Sequence, residues 1–148
     1  MTTTNLITPI VQQITIDAPA SAIFAALTDP QQLPQWWGED GMYHVTTMES
    51  DLRVGGRWKS SGTGSDGKPF AVHGIYRVID APRVLEYTWN YDWDDANAET
   101  VVHYELEERD GATHLRVTHT GFVTVESRDG HDNGWVRVLG WLKAYTER

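Results

Sequence analysis

The segment VVHYELEERDGATHLRVTHTGF, residues 101–122, leaves this chain little freedom in how it folds. Its Asp110-Gly111 dipeptide suits a two-residue hairpin turn, whose central positions both need positive φ. Closing the hairpin there sets Leu106 opposite Leu115, Tyr104 opposite Val117 and Val102 opposite His119 on one face. The other face receives Glu105 with Arg116, Glu107 with His114 and His103 with Thr118. An apolar face backed by a charged one is the pattern of an antiparallel sheet with a core on one side and water on the other. A slip of one residue would turn every side chain over, so the pattern also sets the register.

The preceding segment pairs in the same way if Asp80–Arg83 is its turn. Val78 then meets Leu85, Tyr76 meets Tyr87, Gly74 meets Trp89 and Val72 meets Tyr91, while Arg77 faces Glu86 outside. Gly74 opposite Trp89 is expected to leave room for the indole to lie across the sheet. Around these hairpins the spacing predicts a first strand over Val11–Asp17. A helix follows over APASAIFAALTD, with Pro19 at its first position and Ile23, Phe24 and Leu27 on one stripe. DPQQ predicts a second short helix capped by Asp29, with Pro30 at its first position and Gln32 three residues after the cap. From Met42 to about Phe122 the chain reads as strands and turns.

The last segment, DGHDNGWVRVLGWLKAYTER, predicts a long helix. Trp135, Val138, Leu139, Leu142 and Tyr145 form its apolar stripe, with Trp141 on the flank and Gly140 on the far side. The fold class is therefore α+β. Two short helices follow the first strand, and a strongly curved antiparallel sheet wraps around the long C-terminal helix. Residues 1–148 read as a single domain, with residues 1–10 as a loosely ordered tail.

Composition narrows the function classes. The chain has 148 residues, enough for one substantial core, and no cysteine, which excludes disulfides, thiolate metal sites and thiol nucleophiles. With 12 basic and 21 acidic residues the net charge is -9, opposed to nucleic acid and to anionic membrane surfaces. No apolar run approaches the roughly 20 residues of a membrane span, and the N-terminus lacks the basic-then-apolar pattern of a secretory signal. A cytoplasmic location is the expectation. Seven tryptophans and six tyrosines against three phenylalanines favour rings with a polar edge, suited to a partly wet cavity.

Four segments, APASAIFAALTDPQQLPQWWG, RVGGRW, GIYRVIDAPRVLEYTW and THTGF with GHDNGWVRVLGWLKAY, together resemble the START-like (SRPBCC) superfamily. Within it the chain resembles the family named for the activator of the heat-shock-protein-ninety ATPase. The resemblance implies the helix-grip fold and a deep cavity between sheet and long helix, which in relatives takes lipids, sterols, aromatic polyketides or plant hormones. It also raises a chaperone as partner, although the co-chaperone that lends the family its name carries an additional N-terminal domain.

On this reading the chain binds a small, largely apolar, aromatic ligand. Its expected contacts are Trp58, Tyr76, Tyr87, Trp89 and Tyr104 from the sheet, and Trp135 and Leu139 from the helix. His119 joins them as the one inward ionisable group. In the pair Trp36-Trp37, Trp36 is expected to pack beneath the short helix and Trp37 to point toward the cavity mouth. Two alternatives come from other classes. One is an enzyme of aromatase/cyclase type with His119 as general base. The other is a protein-interaction module, marked by a filled core and an exposed apolar patch. A homodimer would use the outer face at Ile75, Ile79 and Val84.

Other motifs read as structure. Gly62, Gly64 and Gly67 spell G-x-G-x-x-G, but a proline and a strand follow where a dinucleotide site needs a helix N-terminus, so this is a hairpin loop. Asp92, Asp94, Asp95, Asn97 and Glu99 lack the spacing and glycine of a calcium loop and read as a solvated hairpin tip. The histidines assemble no metal site: His103, His114 and His73 fall on the outer face, and His44 and His131 lie near loops. No serine or threonine sits in a nucleophile elbow or triad. Arg57 is expected at the cavity rim, where a guanidinium can hold a carboxylate. No metal and no cofactor is implied.

Overall fold

The Asp110-Gly111 turn closes as the pairing predicts, with φ of 54° at Asp110 and 81° at Gly111. Strands β6 (Thr100–Arg109) and β7 (Ala112–Thr120) then pair in the expected register, from Val102 opposite His119 to Leu106 opposite Leu115. The structure, a computed structural model, describes residues 7–91, 93 and 99–148. The remaining elements are β1 (Ile10–Ile16), α1 (Ala20–Thr28), α2 (Leu33–Trp36), β2 (His44–Ser50), β3 (Arg57–Thr63), β4 (Pro69–Asp80), β5 (Val84–Tyr91) and α3 (Val125–Glu147). The strands form one seven-stranded antiparallel sheet in the order β1-β7-β6-β5-β4-β3-β2. The sheet curves around α3 in a helix-grip arrangement.

The β4–β5 hairpin departs from simple pairing. Val72 opposite Tyr91 and Tyr76 opposite Tyr87 hold, but the register shifts between Tyr76 and Val78. Val78 consequently stands opposite Glu86, and Ile79 takes the place opposite Leu85. The extra residue of a bulge reverses which side chain points inward. Val78 is 38% exposed, while Ile79 packs against the core and is not part of a free outer face. Arg77 still reaches Glu86, with Nε 3.4 Å from Oε2.

Gly74 serves a different purpose from the one its position opposite Trp89 suggests. A Cβ there would stand 1.8 Å from the Thr88 carbonyl oxygen, so β5 backbone, not an indole, occupies the space. The close approach lets the Ile75 N–H donate to Thr88 Oγ1 at 2.9 Å. The Trp58 indole N–H meanwhile donates to the Thr88 carbonyl at 3.2 Å.

The helices are shifted slightly from their expected starts. Pro19 is the N-cap of α1, one residue outside the helix, and Ile23, Phe24 and Leu27 are buried on its inner face. Asp29 opens a turn, not a helix: its side chain accepts from the Gln31 N–H at 2.9 Å, and α2 begins only at Leu33. Helix α3 begins earlier than expected, at Val125, because the Thr124 hydroxyl accepts the Ser127 N–H at 3.1 Å. Its buried residues are Ser127, Trp135, Val138, Leu139 and Leu142, with Tyr145 packed against the core edge and Gly140 exposed. Among the described residues no helix is long and apolar enough to cross a membrane.

Candidate ligand site

Trp36 and Trp37 take different roles at the end of α2 although their rings stay in contact. Trp36 is the last residue of α2, and its indole N–H donates to the Ala26 carbonyl at 3.0 Å, pinning it under α1. Trp37 has extended backbone, and its ring lies beside that of Trp36, with centroids 5.2 Å apart and planes tilted by 36°. Gly38 then turns with φ of 131°, where a Cβ would stand 2.2 Å from the Tyr43 carbonyl oxygen. The return is tied by the Val45 N–H to the Trp37 carbonyl at 3.0 Å. Trp37 is buried, stacked on Trp89 at 6.2 Å and 22° and meeting Trp135 edge-on at 6.0 Å. It belongs to the wall of a cavity, not to its mouth.

That cavity lies between the sheet and α3 and measures about 910 Å³. Trp58, Ser60, Val72, Tyr76, Tyr87 and Trp89 line it from the sheet. From α3 come Ser127, Gly130, His131, Gly134, Trp135, Arg137 and Val138. Tyr43, Phe70 and the turn after β3 reach its open edge, where Tyr43 meets Phe70 edge-on at 5.6 Å and Trp141 at 5.7 Å. Three indole N–H groups of the wall are engaged inside the protein: Trp58 with Thr88, Trp89 with His131 Nε2 at 3.3 Å, and Trp135 with His119 Nδ1 at 3.0 Å. The wall therefore offers flat apolar surface held in fixed orientations.

Six of the nine expected contacts, Trp37, Trp58, Tyr76, Tyr87, Trp89 and Trp135, line this cavity, and Tyr104, His119 and Leu139 do not. Leu139 is buried in the packed core. Tyr104 is fully enclosed, its hydroxyl 2.7 Å from that of Tyr87, and burial raises the pKa of both phenols. His119 sits in a closed chain. Since an indole N–H can only donate, Nδ1 of His119 is the acceptor for Trp135, and the neutral ring carries its proton on Nε2. That N–H donates to Thr100 Oγ1 at 2.7 Å, and the Thr100 hydroxyl donates to the Trp89 carbonyl at 2.9 Å. Burial, aided by nearby His131, lowers the His119 pKa well below its ordinary value. With both nitrogens occupied behind the wall, His119 has no geometry for general-base work on a molecule in the cavity.

Several lining residues escaped the sequence reading although their signals were present. Ser60 follows Trp58 by two residues and so shares the inner face of β3. The same alternation sends Arg57 outward, exposed beside Ile75, and the arginine at the cavity is Arg137. His131 and Val138 continue the Trp135 stripe at helical spacing, and Gly130 and Gly134 widen the cavity beside it, with open space where each Cβ would be. Tyr43 and Phe70 carry no such signal, because loop geometry places the one and a strand end the other.

The remaining motifs fall where turn and surface chemistry place them. Gly64–Lys68 is a tight hairpin turn, with the Gly64 N–H on the Lys68 carbonyl at 2.8 Å, and a strand follows it. Asp92, Asp94, Asp95 and Asn97 lie outside the described residues, and Glu99 is exposed. On the outer face His103 bridges Glu86 at 3.0 Å and Glu105 at 3.2 Å, and His114 meets Gln13 at 2.8 Å. His73 is exposed, and His44 meets Asp40 at 3.1 Å. Among the described residues no three histidine or carboxylate side chains gather where a metal ion could be held.

Residues 17–147 match the family described as Activator of Hsp90 ATPase homolog 1-like protein. No curated protein matches the chain. Among solved structures, a Chromobacterium violaceum protein is similar with a TM-score of 0.82 at 22% identity, over 95% of this chain and 97% of that one. An AHSA1-like protein from Aeromonas hydrophila has a TM-score of 0.77 at 24% identity, over 95% and 92%. A Rhodobacter sphaeroides protein has a TM-score of 0.78 at 25% identity, over 93% and 90%.

Proposed function

The chain belongs to the Activator of Hsp90 ATPase homolog 1-like family, and from that premise we propose that it binds a small, largely apolar, aromatic ligand between its sheet and α3. The observation that carries this reading is the cavity of about 910 Å³ walled by Trp37, Trp58, Tyr87, Trp89 and Trp135. Ligand pockets of roughly 300–1,000 Å³, mostly apolar with a few polar groups, bury most of a drug-sized molecule. Aromatic pairing adds about 0.5–1.5 kcal/mol per well-placed ring beyond burial.

The burial of His119 favours binding over cyclase-type catalysis. An open cavity, where an interaction module would carry a filled core, favours a small molecule over a chaperone as partner. We place the protein in the cytoplasm and treat residues 1–148 as one binding unit.

The test is a thermal-shift screen of flavonoids, polyketides, sterols and fatty acids. A ligand at about 100 times its dissociation constant adds roughly 2.7 kcal/mol, or on the order of 5–10 °C in a domain of this size. Gly134→Leu, whose side chain would grow into open space at the cavity, should abolish the shift without unfolding the protein. No shift with any of the four classes would overturn the reading.

A further inference from the structure

Seven polar serine, threonine and histidine side chains are buried among the described residues: Thr28, Ser60, Thr88, Thr100, Thr113, His119 and Ser127. Six of them are hydrogen-bonded inside the protein, to the Phe24 carbonyl (Thr28), the Ile75 N–H (Thr88), the Trp89 carbonyl and His119 (Thr100), the Ala18 carbonyl (Thr113), Thr100 and Trp135 (His119), and the Tyr91 hydroxyl (Ser127). Ser60 is the exception. Its residue is only 4% exposed, and among the described residues its hydroxyl has no protein partner. It lines the cavity.

The surroundings sharpen the point. Across the sheet Ser60 stands between Met48 of β2 and Val72 of β4, and along its own strand its inward neighbour is Trp58. All three also line the cavity. A hydroxyl set in so apolar a wall gains nothing from its neighbours. Among the described residues no sealed-off side-chain nitrogen or oxygen lacks a partner, so the unpartnered Ser60 hydroxyl opens to the cavity, where a bound molecule can reach it. Val or Ala would suit the strand and the wall equally well if packing were the only demand.

We infer that Ser60 is the hydrogen-bonding anchor for the ligand, and that the cavity takes a flat aromatic molecule bearing a ring hydroxyl or ring carbonyl. A serine hydroxyl both donates and accepts, so either group satisfies it. Gly130 and Gly134, with no side chains to fill the space on α3, leave room for a planar ring against the helix backbone. Among indole and phenol rings the hydrogen bond operates at low dielectric, where it discriminates more sharply than in water. The inference rests on the binding reading above and names the ligand chemistry that reading leaves open.

Two probes of equal size test it: 2-naphthol, and 2-methylnaphthalene, which lacks the hydroxyl. Their affinities are read by quenching of tryptophan fluorescence, with melting temperature as a check on folding. Wild type should prefer 2-naphthol, and Ser60→Ala should weaken 2-naphthol by about tenfold while leaving 2-methylnaphthalene unchanged. Because the hydroxyl has no protein partner, Ser60→Ala should not lower the melting temperature, and Ser60→Thr, which keeps a hydroxyl, should retain the preference. Equal loss of both probes, or of neither, overturns the anchor and leaves the cavity reading standing. Failure of both probes to bind wild type overturns the anchor and the cavity reading together.

Discussion

The two halves of the sheet solve the same problem with different side chains. Strands β1, β7 and β6 present mainly aliphatic groups, Ile10, Ile16, Leu115, Val117, Val102 and Leu106, with Tyr104 and His119 among them, and none of these side chains lines the cavity. Strands β3, β4 and β5 present Trp58, Tyr76, Tyr87 and Trp89, and a cavity remains beside them. The difference lies in what holds each side chain in place. An aliphatic group is free to settle into whatever gap its neighbours leave, so that region closes to crystal-like density. An indole tied by its N–H to a carbonyl or an imidazole is held at one distance and angle. Three such ties, at Trp58, Trp89 and Trp135, keep the wall from collapsing inward.

The sharpest way to break this contrast is truncation on each side. Leu115→Ala, in the packed half, should cost about 3 kcal/mol, the lost burial plus the cavity left behind. Val72→Ala, on the wall of an existing cavity, should cost under about 1 kcal/mol, since the space it vacates joins space already there. Denaturant titration of both variants measures this, and equal costs would mean the wall is as tightly packed as the core.

Acid tests the closed chain that ties the halves together. The folded pKa of His119 is depressed, so below its unfolded value of about 6.5 the unfolded chain binds a proton that the folded chain refuses. The contribution is full above that value and is lost as pH falls toward the folded pKa, by at most about 1.4 kcal/mol per pH unit. Melting curves from pH 7.5 down to 5 should show the fall, and His119→Gln should flatten it. An unchanged slope would mean that other groups govern acid unfolding. Trp135→Phe keeps the ring but strands His119 Nδ1 without a donor, and should cost about 1 kcal/mol in the same assay.

The smallest effects come from the helix glycines. Gly134→Ala and Gly140→Ala should each stabilise α3 by about 0.5–1 kcal/mol, since each Cβ meets open space. Only Gly134 lines the cavity, so only its variant should also weaken ligand binding. Equal effects of both on binding would separate the helix face from the site.

Much of this was legible beforehand, in a consistent pattern. The β6–β7 register, the stripe of α3 and the inward face of Tyr76 and Tyr87 followed from period and turn chemistry, which act over a few residues. Tyr104, His119 and Leu139 share that inward face, and the period alone cannot separate them from the residues that meet the cavity. Whether an inward side chain ends in packed core or in open space depends on how far α3 stands off each strand. The bulge at Tyr76–Val78 escaped because an extra residue in one strand leaves the alternation on either side intact. Gly74 misled for a related reason: its missing side chain was assigned to a ring on the partner strand, when the partner's own backbone takes the space.

Taken alone, the sequence determined the family, the antiparallel pairing of β6 with β7 and the face those two strands turn to the core. These are decided between neighbours a few residues or one hairpin apart. Tertiary structure decided which half of the inner face closes, which way Trp37 points and that Ser60 meets a cavity instead of a partner. Those outcomes depend on distances between elements far apart in the chain, set by how a curved sheet and a long helix with two glycines at the cavity fit together.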